Sequence, residues 1–115
     1  MALKLMHNPR CSKSREALKL LTQRGVEPQV ILYLAAPPTE DEIRALLKKL
    51  GIGPRELIRT SEPQYGALGL GGPDVSDDDL IAAMAKNPVL IERPILISGA
   101  RAIIARPPER VLDLL

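Results

Sequence analysis

The chain has 115 residues, 45% of them hydrophobic and 26% charged, which suits one domain with its own core. Its 16 Lys and Arg residues exceed its 14 Asp and Glu residues by only two, a balance too small to indicate a nucleic-acid partner by itself. Phe and Trp are absent and Tyr occurs twice, so we expect an aliphatic core without an aromatic platform for stacking bases.

The cysteine and histidine counts restrict the possible chemistry. With one Cys and one His, the chain forms no intramolecular disulfide, and we expect no metal site. No apolar run approaches the roughly 20 residues of a membrane span, and the N-terminus lacks the apolar core of a secretion leader. Because a free working thiol suits a reducing compartment, we expect a cytoplasmic protein with no membrane partner.

The first third of the chain predicts a βαβ unit. Residues 4–6 are typical of a strand, and residues 12–24 have apolar side chains at helical spacing. The apolar run at 29–34 predicts a second, buried strand. Two strands joined by one helix run parallel, and ligands of open α/β sheets bind at the carboxyl ends of the strands. Cys11 stands at such an end.

The middle of the chain is predicted to be helical. A capping box at Thr39 begins a helix that Gly51 closes, and Pro54 begins a short helical turn. Residues 61–73, which contain four glycines, are predicted to be a loop without chemistry. Ser76 caps a further helix, and the three aspartates after it suit a positive helix start better than a metal site.

The last part predicts two strands and a helix. Residues 95–97 and 102–104 are predicted strands of a hairpin, and the prolines at 107–108 begin a terminal helix. The order βαβ, helical block, ββα is typical of a thioredoxin-like α/β fold with a mixed sheet. We therefore expect a single domain over residues 1–115, with a helical insertion at about 38–90.

Cys11 is the candidate catalytic residue because of its neighbours. It stands where a strand ends and a helix begins, and a helix start has unpaired N–H groups and a positive dipole end that lower a cysteine pKa. Arg10, Lys13 and Arg15 surround it in the sequence. A lone cysteine is more often a small buried hydrophobe, but three cations cannot be buried unpaired beside it. We predict a reactive thiolate beside an anion site.

Two polar residues near Cys11 have alternative roles. Ser14 follows it by three residues, so its hydroxyl is expected to face the thiol across one helical turn, or else to serve the helix start. His7 either donates to the thiolate or ends its strand, and the sequence leaves both roles open.

Three arginines further along the chain stand at the ends of predicted elements: Arg59, Arg93 and Arg106. A single arginine is most often a solvated surface group, but arginine also binds tetrahedral oxyanions bidentately. The bond between Arg93 and Pro94 precedes a core strand and is a candidate cis peptide.

With these residues in view, the chain resembles the glutaredoxin-coupled arsenate reductases over essentially its whole length. The segments that carry the resemblance are HNPRCSKSR at 7–15, YL and PPT within 33–39, GI at 51–52 followed by Arg59, NPVLIERP at 87–94, and RP at 106–107. The resemblance implies a thioredoxin-like fold with a helical insertion and these roles: Cys11 as the catalytic thiolate, Arg59, Arg93 and Arg106 as ligands of the oxyanion, His7 and Ser14 as stabilisers of the thiolate, and Pro94 as a cis proline.

The resemblance also implies a reaction. By this resemblance, arsenate is expected to be reduced to arsenite through a covalent adduct with Cys11, with glutathione as co-substrate and with glutaredoxin removing the resulting mixed disulfide. We expect no tightly bound cofactor. A single cysteine suits this scheme, because the chain has no second thiol to resolve the adduct.

Two other functions stay open for the same fold. One is a glutathione-dependent thiol oxidoreductase that acts on glutathione mixed disulfides. The other is a regulator that binds RNA polymerase, a class that commonly has a Cys-x-x-Cys motif, whereas this chain has Ser14 in place of the second cysteine. The phosphatase-like arsenate reductases need an arginine six residues after the cysteine, where this chain has Ala17.

Overall fold

The structure, a computed structural model, describes residues 3–115 and divides into two compact units. One unit consists of the chain up to Ala36 together with Arg93–Leu115, and the other is Pro37–Glu92. The insertion predicted at about 38–90 falls on the second unit.

The first unit is built on a four-stranded mixed sheet with the strand order β2-β1-β3-β4. Strand β1 is parallel to β2 and antiparallel to β3, and β3 is antiparallel to β4. The strands are β1 (Leu3–Met6), β2 (Gln29–Ile31), β3 (Ile95–Ser98) and β4 (Arg101–Ile104), and helix α1 (Ser12–Gln23) connects β1 to β2. The predicted βαβ unit and hairpin are confirmed, and the fold is thioredoxin-like.

The core of this unit lies between the sheet and two helices. Helix α1 packs against a 3-10 helix at Pro108–Leu114, where the sequence predicted a terminal helix without specifying its type. Both helices direct apolar side chains at the sheet, because their apolar residues recur on one face. The buried residues of this core are Leu5, Ala17, Leu21, Leu96, Ala105, Val111 and Leu114.

Strand β2 differs from the prediction. It ends at Ile31, and the side chains of Val30 and Leu32 are 41% and 47% exposed. The prediction of a buried strand at 29–34 was wrong because β2 is an edge strand, and an apolar run does not show where in the sheet a strand lies. Leu32 and Leu34 instead line an open cleft of about 410 Å³ beside residues 7–10.

The second unit is helical. It comprises α2 (Glu40–Leu50), α3 (Pro54–Leu57), α4 (Pro63–Ala67), α5 (Asp77–Lys86) and a 3-10 turn at Pro88–Leu90. Helix α5 packs against α2, α3 and that turn. The buried side chains of this unit include Ile43, Leu46, Leu57, Leu80, Met84 and Leu90. Among residues 3–115, the structure has no helix of the length and apolarity that a membrane span requires.

Capping residues fix the ends of the two longer helices of this unit. The Thr39 and Ser76 hydroxyls each accept the N–H of the third helical residue, whose carboxylate accepts the N–H of the cap. Gly51 ends α2 with φ of 69°, a left-handed conformation that suits glycine. The predicted capping box at Thr39, its stop at Gly51 and the cap at Ser76 are confirmed.

Helix α4 lies within the segment 61–73, which was predicted to be a loop. Its first residue, Pro63, suits a helix start because proline has no N–H to leave unpaired. Arg55 secures the segment by donating to the carbonyl of Leu70 at 2.6 Å and to the hydroxyl of Tyr65 at 3.2 Å. The prediction failed because this anchoring arginine lies outside the segment itself.

Candidate active site

The sulfur of Cys11 lies at the junction of β1 and α1. Cys11 has extended backbone angles and precedes the first residue of α1, and its carbonyl accepts the N–H of Arg15 at 3.0 Å. Its side chain is half-buried and is a free thiol. The junction therefore places the thiol at a helix start, as the sequence indicated.

Several groups together lower the pKa of Cys11. Burial raises this pKa, because it disfavours the charged thiolate. The main-chain N–H of Ser14, the Arg93 side chain and the main-chain N–H of Lys13 lower it, and they outweigh burial. Arg93 acts both by hydrogen bonding and by its charge. The thiol is thus biased toward the nucleophilic thiolate.

Two of the three cations next to Cys11 in the sequence, Arg15 and Lys13, have other partners. Arg15 donates to the carbonyl of Pro9 at 2.9 Å, and Lys13 lies 3.8 Å from the carboxylate of Glu16. The cation that lowers the pKa of Cys11 is the distant Arg93. Proximity along the chain therefore did not identify the charge that acts on the sulfur.

Ser14 and His7 form a buried pair close to the start of α1. Ser14 is fully buried and His7 is 6% exposed, and the His7 Nδ1 lies 2.7 Å from the Ser14 Oγ. The Ser14 oxygen also accepts the N–H of Asn8 at 3.0 Å. The hydroxyl that was expected to face the thiol thus bonds to His7 and Asn8, and Ser14 acts on Cys11 through its main-chain N–H.

The surroundings of His7 disfavour its protonated form. Burial lowers the pKa of His7, and the positive charge of Arg15 lowers it further. The His7 Nδ1 and the Ser14 hydroxyl share a hydrogen bond whose direction depends on the His7 tautomer, and the same oxygen accepts the Asn8 N–H. His7 thereby orients Ser14, whose main-chain N–H lowers the thiol pKa.

Asn8 is a residue that the sequence analysis did not single out. Its Oδ1 accepts the N–H of Arg10 and its carbonyl accepts the N–H of Cys11, each at 3.0 Å. Because its own N–H also donates to the Ser14 oxygen, Asn8 bonds to residues on both sides of Cys11 in the sequence. The sequence signal was present, because Asn before Pro is typical of a turn that bonds its own backbone.

Two of the three predicted arginines meet at the same edge of the sheet. Pairing of Ile95 with both Met6 and Ile104 brings the start of β3, the end of β1 and the end of β4 together. Arg93 immediately precedes this edge, and the Arg106 Nη1 donates to the Arg93 carbonyl at 3.0 Å. The sheet register thus explains why residues so distant in sequence lie together.

The backbone at this edge contains two cis peptide bonds, Arg93–Pro94 and Arg106–Pro107. The first was a candidate from the sequence, and the second was not predicted. The Pro94 carbonyl accepts the N–H of Ala105 at 2.9 Å, which continues the pairing of β3 with β4.

The third arginine, Arg59, belongs to the second unit. It follows α3, and its N–H donates to the carbonyl of Leu90 at 2.7 Å. Its side chain donates to two carboxylates, from Nε to Glu62 at 3.2 Å and from Nη1 to Glu92 at 2.5 Å. Its role as an oxyanion ligand stays a prediction from the resemblance.

Metal ligands are not grouped in the part of the chain that the structure describes. No cluster of three or more His, Cys, Asp or Glu side chains in residues 3–115 is arranged to hold an ion.

Comparison with known proteins identifies the family. A family model described as the ArsC family matches residues 6–114, a span that includes Cys11, Arg59, Arg93 and Arg106. The chain belongs to the ArsC family. This ArsC-family chain is 44% identical to an arsenate reductase of Haemophilus influenzae, and the match covers 100% of both chains. It is 50% identical to a protein of Escherichia coli (strain K12) named Uncharacterized protein YfgD, with 97% of this chain and 95% of the relative covered.

The fold of the ArsC-family chain is shared with solved structures. An arsenate reductase from Vibrio cholerae superimposes with a TM-score of 0.97 at 47% identity, covering 100% of this chain and 98% of the other. Since the likeness spans both units, each unit of this chain has its counterpart in that structure.

Proposed function

We propose that this ArsC-family protein reduces arsenate to arsenite, with Cys11 as the nucleophile. The observation that carries the proposal is a thiol whose pKa is lowered by Arg93, together with a second arginine, Arg106, which donates to the Arg93 carbonyl. The names of several relatives support the substrate. The resemblance adds Arg59 as a third oxyanion ligand.

The two arginines address the main electrostatic difficulty of the first step. A thiolate and arsenate are both negative, so their approach is opposed by charge repulsion unless cations offset it. In the proposed step the Cys11 sulfur forms a bond to arsenic while one arsenic–oxygen bond breaks. The departing oxygen takes up protons and leaves as water, and Arg93 and Arg106 stabilise the remaining oxyanion charge.

The second step needs an outside thiol because the chain has one cysteine. We propose glutathione for this role. Two thiols, Cys11 and glutathione, become a mixed disulfide, and the two electrons they release reduce arsenic(V) to arsenic(III). Glutaredoxin then reduces the mixed disulfide and regenerates Cys11. A thiol nucleophile of this kind needs a reducing compartment, so the proposal places the protein in the cytoplasm.

The proposal is tested by measuring arsenite production from arsenate with glutathione and glutaredoxin. We expect turnover by the wild-type protein, loss of turnover in Cys11→Ser, and retention in Ser12→Ala, a matched change at the next, exposed residue. Absence of arsenite from folded, reduced wild-type protein would contradict the proposal. Turnover of a glutathionylated peptide that is unaffected by Arg93→Ala would instead favour the thiol oxidoreductase.

A further inference from the structure

An arginine that binds an anion is expected to have unengaged donors, but the side chain of Arg59 already pairs with two carboxylates. Its side chain is 15% exposed, and those of Glu62 and Glu92 are 19% and 24% exposed. One guanidinium and two carboxylates carry a net negative charge. Solvent screens these partly buried groups less than surface groups, so the two carboxylates oppose the approach of an oxyanion to Arg59.

The geometry of the guanidinium makes the conflict specific. A guanidinium binds an oxyanion bidentately along either of two edges, Nε with Nη2 or Nη1 with Nη2. Glu62 accepts from Nε, which is one of the two donors of the Nε–Nη2 edge, and Glu92 accepts one of the two protons of Nη1. An oxyanion that binds the Nε–Nη2 edge therefore competes with Glu62, and one that binds through Nη1 shares that nitrogen with Glu92.

We propose that Glu62 and Glu92 are internal competitors for Arg59, so that an oxyanion has to compete with these carboxylates for the donors of this arginine. The inference rests on the proposed function, because it takes Arg59 as an oxyanion ligand. The two glutamates then set a threshold for anion binding. Weakly bound anions fail to displace a carboxylate, whereas an oxyanion that makes strong hydrogen bonds succeeds.

The backbone keeps the competitors close to the arginine. The N–H of Arg59 bonds to the Leu90 carbonyl and the N–H of Glu92 bonds to the Leu57 carbonyl, on either side of the bridge between Ile58 and Ile91. Glu62 follows Arg59 by three residues. Both carboxylates are thus tethered, so displacement moves a side chain and leaves the backbone pairing in place.

The test measures binding of inorganic arsenate by calorimetry in the full-length Cys11→Ser protein, where no adduct forms. In that background we expect Glu62→Gln and Glu92→Gln each to tighten arsenate binding by about three- to tenfold. The reason is that a neutral amide holds a guanidinium less strongly than a carboxylate does. Asp78→Asn is the matched control, because it also removes a carboxylate from an arginine, the exposed Arg44, and should leave the affinity unchanged.

A double-mutant cycle separates competition from a general charge effect. In an Arg59→Ala background, the glutamate substitutions should no longer tighten binding, since there is no arginine to release. Weaker or unchanged arsenate binding in both glutamine variants overturns the proposal, and so does an Arg59→Ala variant with unaltered affinity. The two single variants are isosteric with the native residue, so either one decides the question if the other fails to fold.

These outcomes are independent of the proposed activity. Arsenite production by the wild-type protein tests the reaction at Cys11, whereas arsenate affinity in the glutamine variants tests the competition at Arg59. Turnover without tightened binding overturns only the inference. Tightened binding without turnover contradicts only the proposed reduction.

Discussion

Arg93 and Arg59 are both arginines at the ends of short elements, but their surroundings are opposite. Arg93, in the unit that contains the sheet, acts on the Cys11 sulfur, and its carbonyl accepts a hydrogen bond from the Arg106 side chain. Arg59, in the helical unit, donates to two carboxylates of its own unit. The first arrangement stabilises a negative sulfur, whereas the second neutralises a cation.

The difference shows that an arginine's place in the sequence does not define its charge environment. Both residues stand near a short stretch of β-branched and aliphatic residues, and either could be a solvated surface group on sequence grounds. The structure adds that two carboxylates hold Arg59, whereas Arg93 acts on the Cys11 sulfur. The following predictions test whether this difference controls reactivity.

Replacing Arg93 should have the largest effect. We expect Arg93→Ala to lower kcat/KM for arsenate by about 100-fold, because a charge-assisted donor is lost from both the thiolate and the oxyanion. Arg59→Ala should cost only about fivefold, since two carboxylates already weaken its hold on an anion. Steady-state kinetics of arsenite formation measure both variants. Equal losses in the two variants would remove the distinction between them.

Removing the Ser14 hydroxyl should destabilise the sheet-containing unit. Ser14→Ala leaves the His7 Nδ1 and the Asn8 N–H without their buried partner, at a cost of about 2 kcal/mol in the free energy of unfolding. Urea denaturation measures this change. Ser12→Ala, at an exposed position, serves as the control and should change the unfolding free energy by less than about 0.5 kcal/mol. A loss as small as the control's would contradict the predicted role.

In the helical unit, a stability change should leave the thiol untouched. Thr39→Ala removes half of the capping box of α2 and should lower the unfolding free energy by about 1 kcal/mol. The rate of Cys11 alkylation by iodoacetamide should stay at the wild-type value, because the groups that lower the thiol pKa belong to the other unit. A changed alkylation rate would contradict the prediction that the reactivity of Cys11 does not depend on the capping box of α2.

The smallest effect concerns pH and His7. Its pKa lies below the ordinary 6.5, so below that pH the unfolded chain takes up a proton before the folded chain does. Unfolding free energy should therefore fall as the pH drops from 6.5 through the lowered pKa, and be unaffected by this group above 6.5. His7→Gln should fall less steeply over the same range in urea titrations. A parallel fall in both proteins would show that His7 does not titrate as predicted.

Local patterns were sufficient for most of the fold. Helical spacing and capping residues predicted α1, α2 and α5, and the hairpin turn at Gly99 predicted the pairing of β3 with β4. The edge position of β2 was not predictable, since the residues that flank Val30 in the sequence are the same whether the strand lies at the edge or in the centre of the sheet. Helix α4 was missed because Arg55 stabilises it from outside.

The sequence singled out Cys11, Arg93 and Arg106, but it did not single out Asn8 or show the contacts among these residues. Cys11 was identified from its position before a helix, and Arg93 and Arg106 from their places at strand ends. The sequence could not show that the Ser14 hydroxyl bonds to His7, or that Glu62 and Glu92 hold Arg59. Such contacts depend on side-chain directions that only the folded chain fixes.

The most direct test of the account is the pKa of Cys11 itself. The rate of alkylation by iodoacetamide, measured as a function of pH on the reduced wild-type protein, reports the fraction of thiolate. We predict a midpoint below the ordinary 9.0 of a cysteine thiol, and a shift toward that value in Arg93→Ala. A midpoint at or above 9.0 in the wild-type protein, or one that Arg93→Ala leaves unchanged, would contradict the central claim that Arg93 helps to lower the pKa of this thiol.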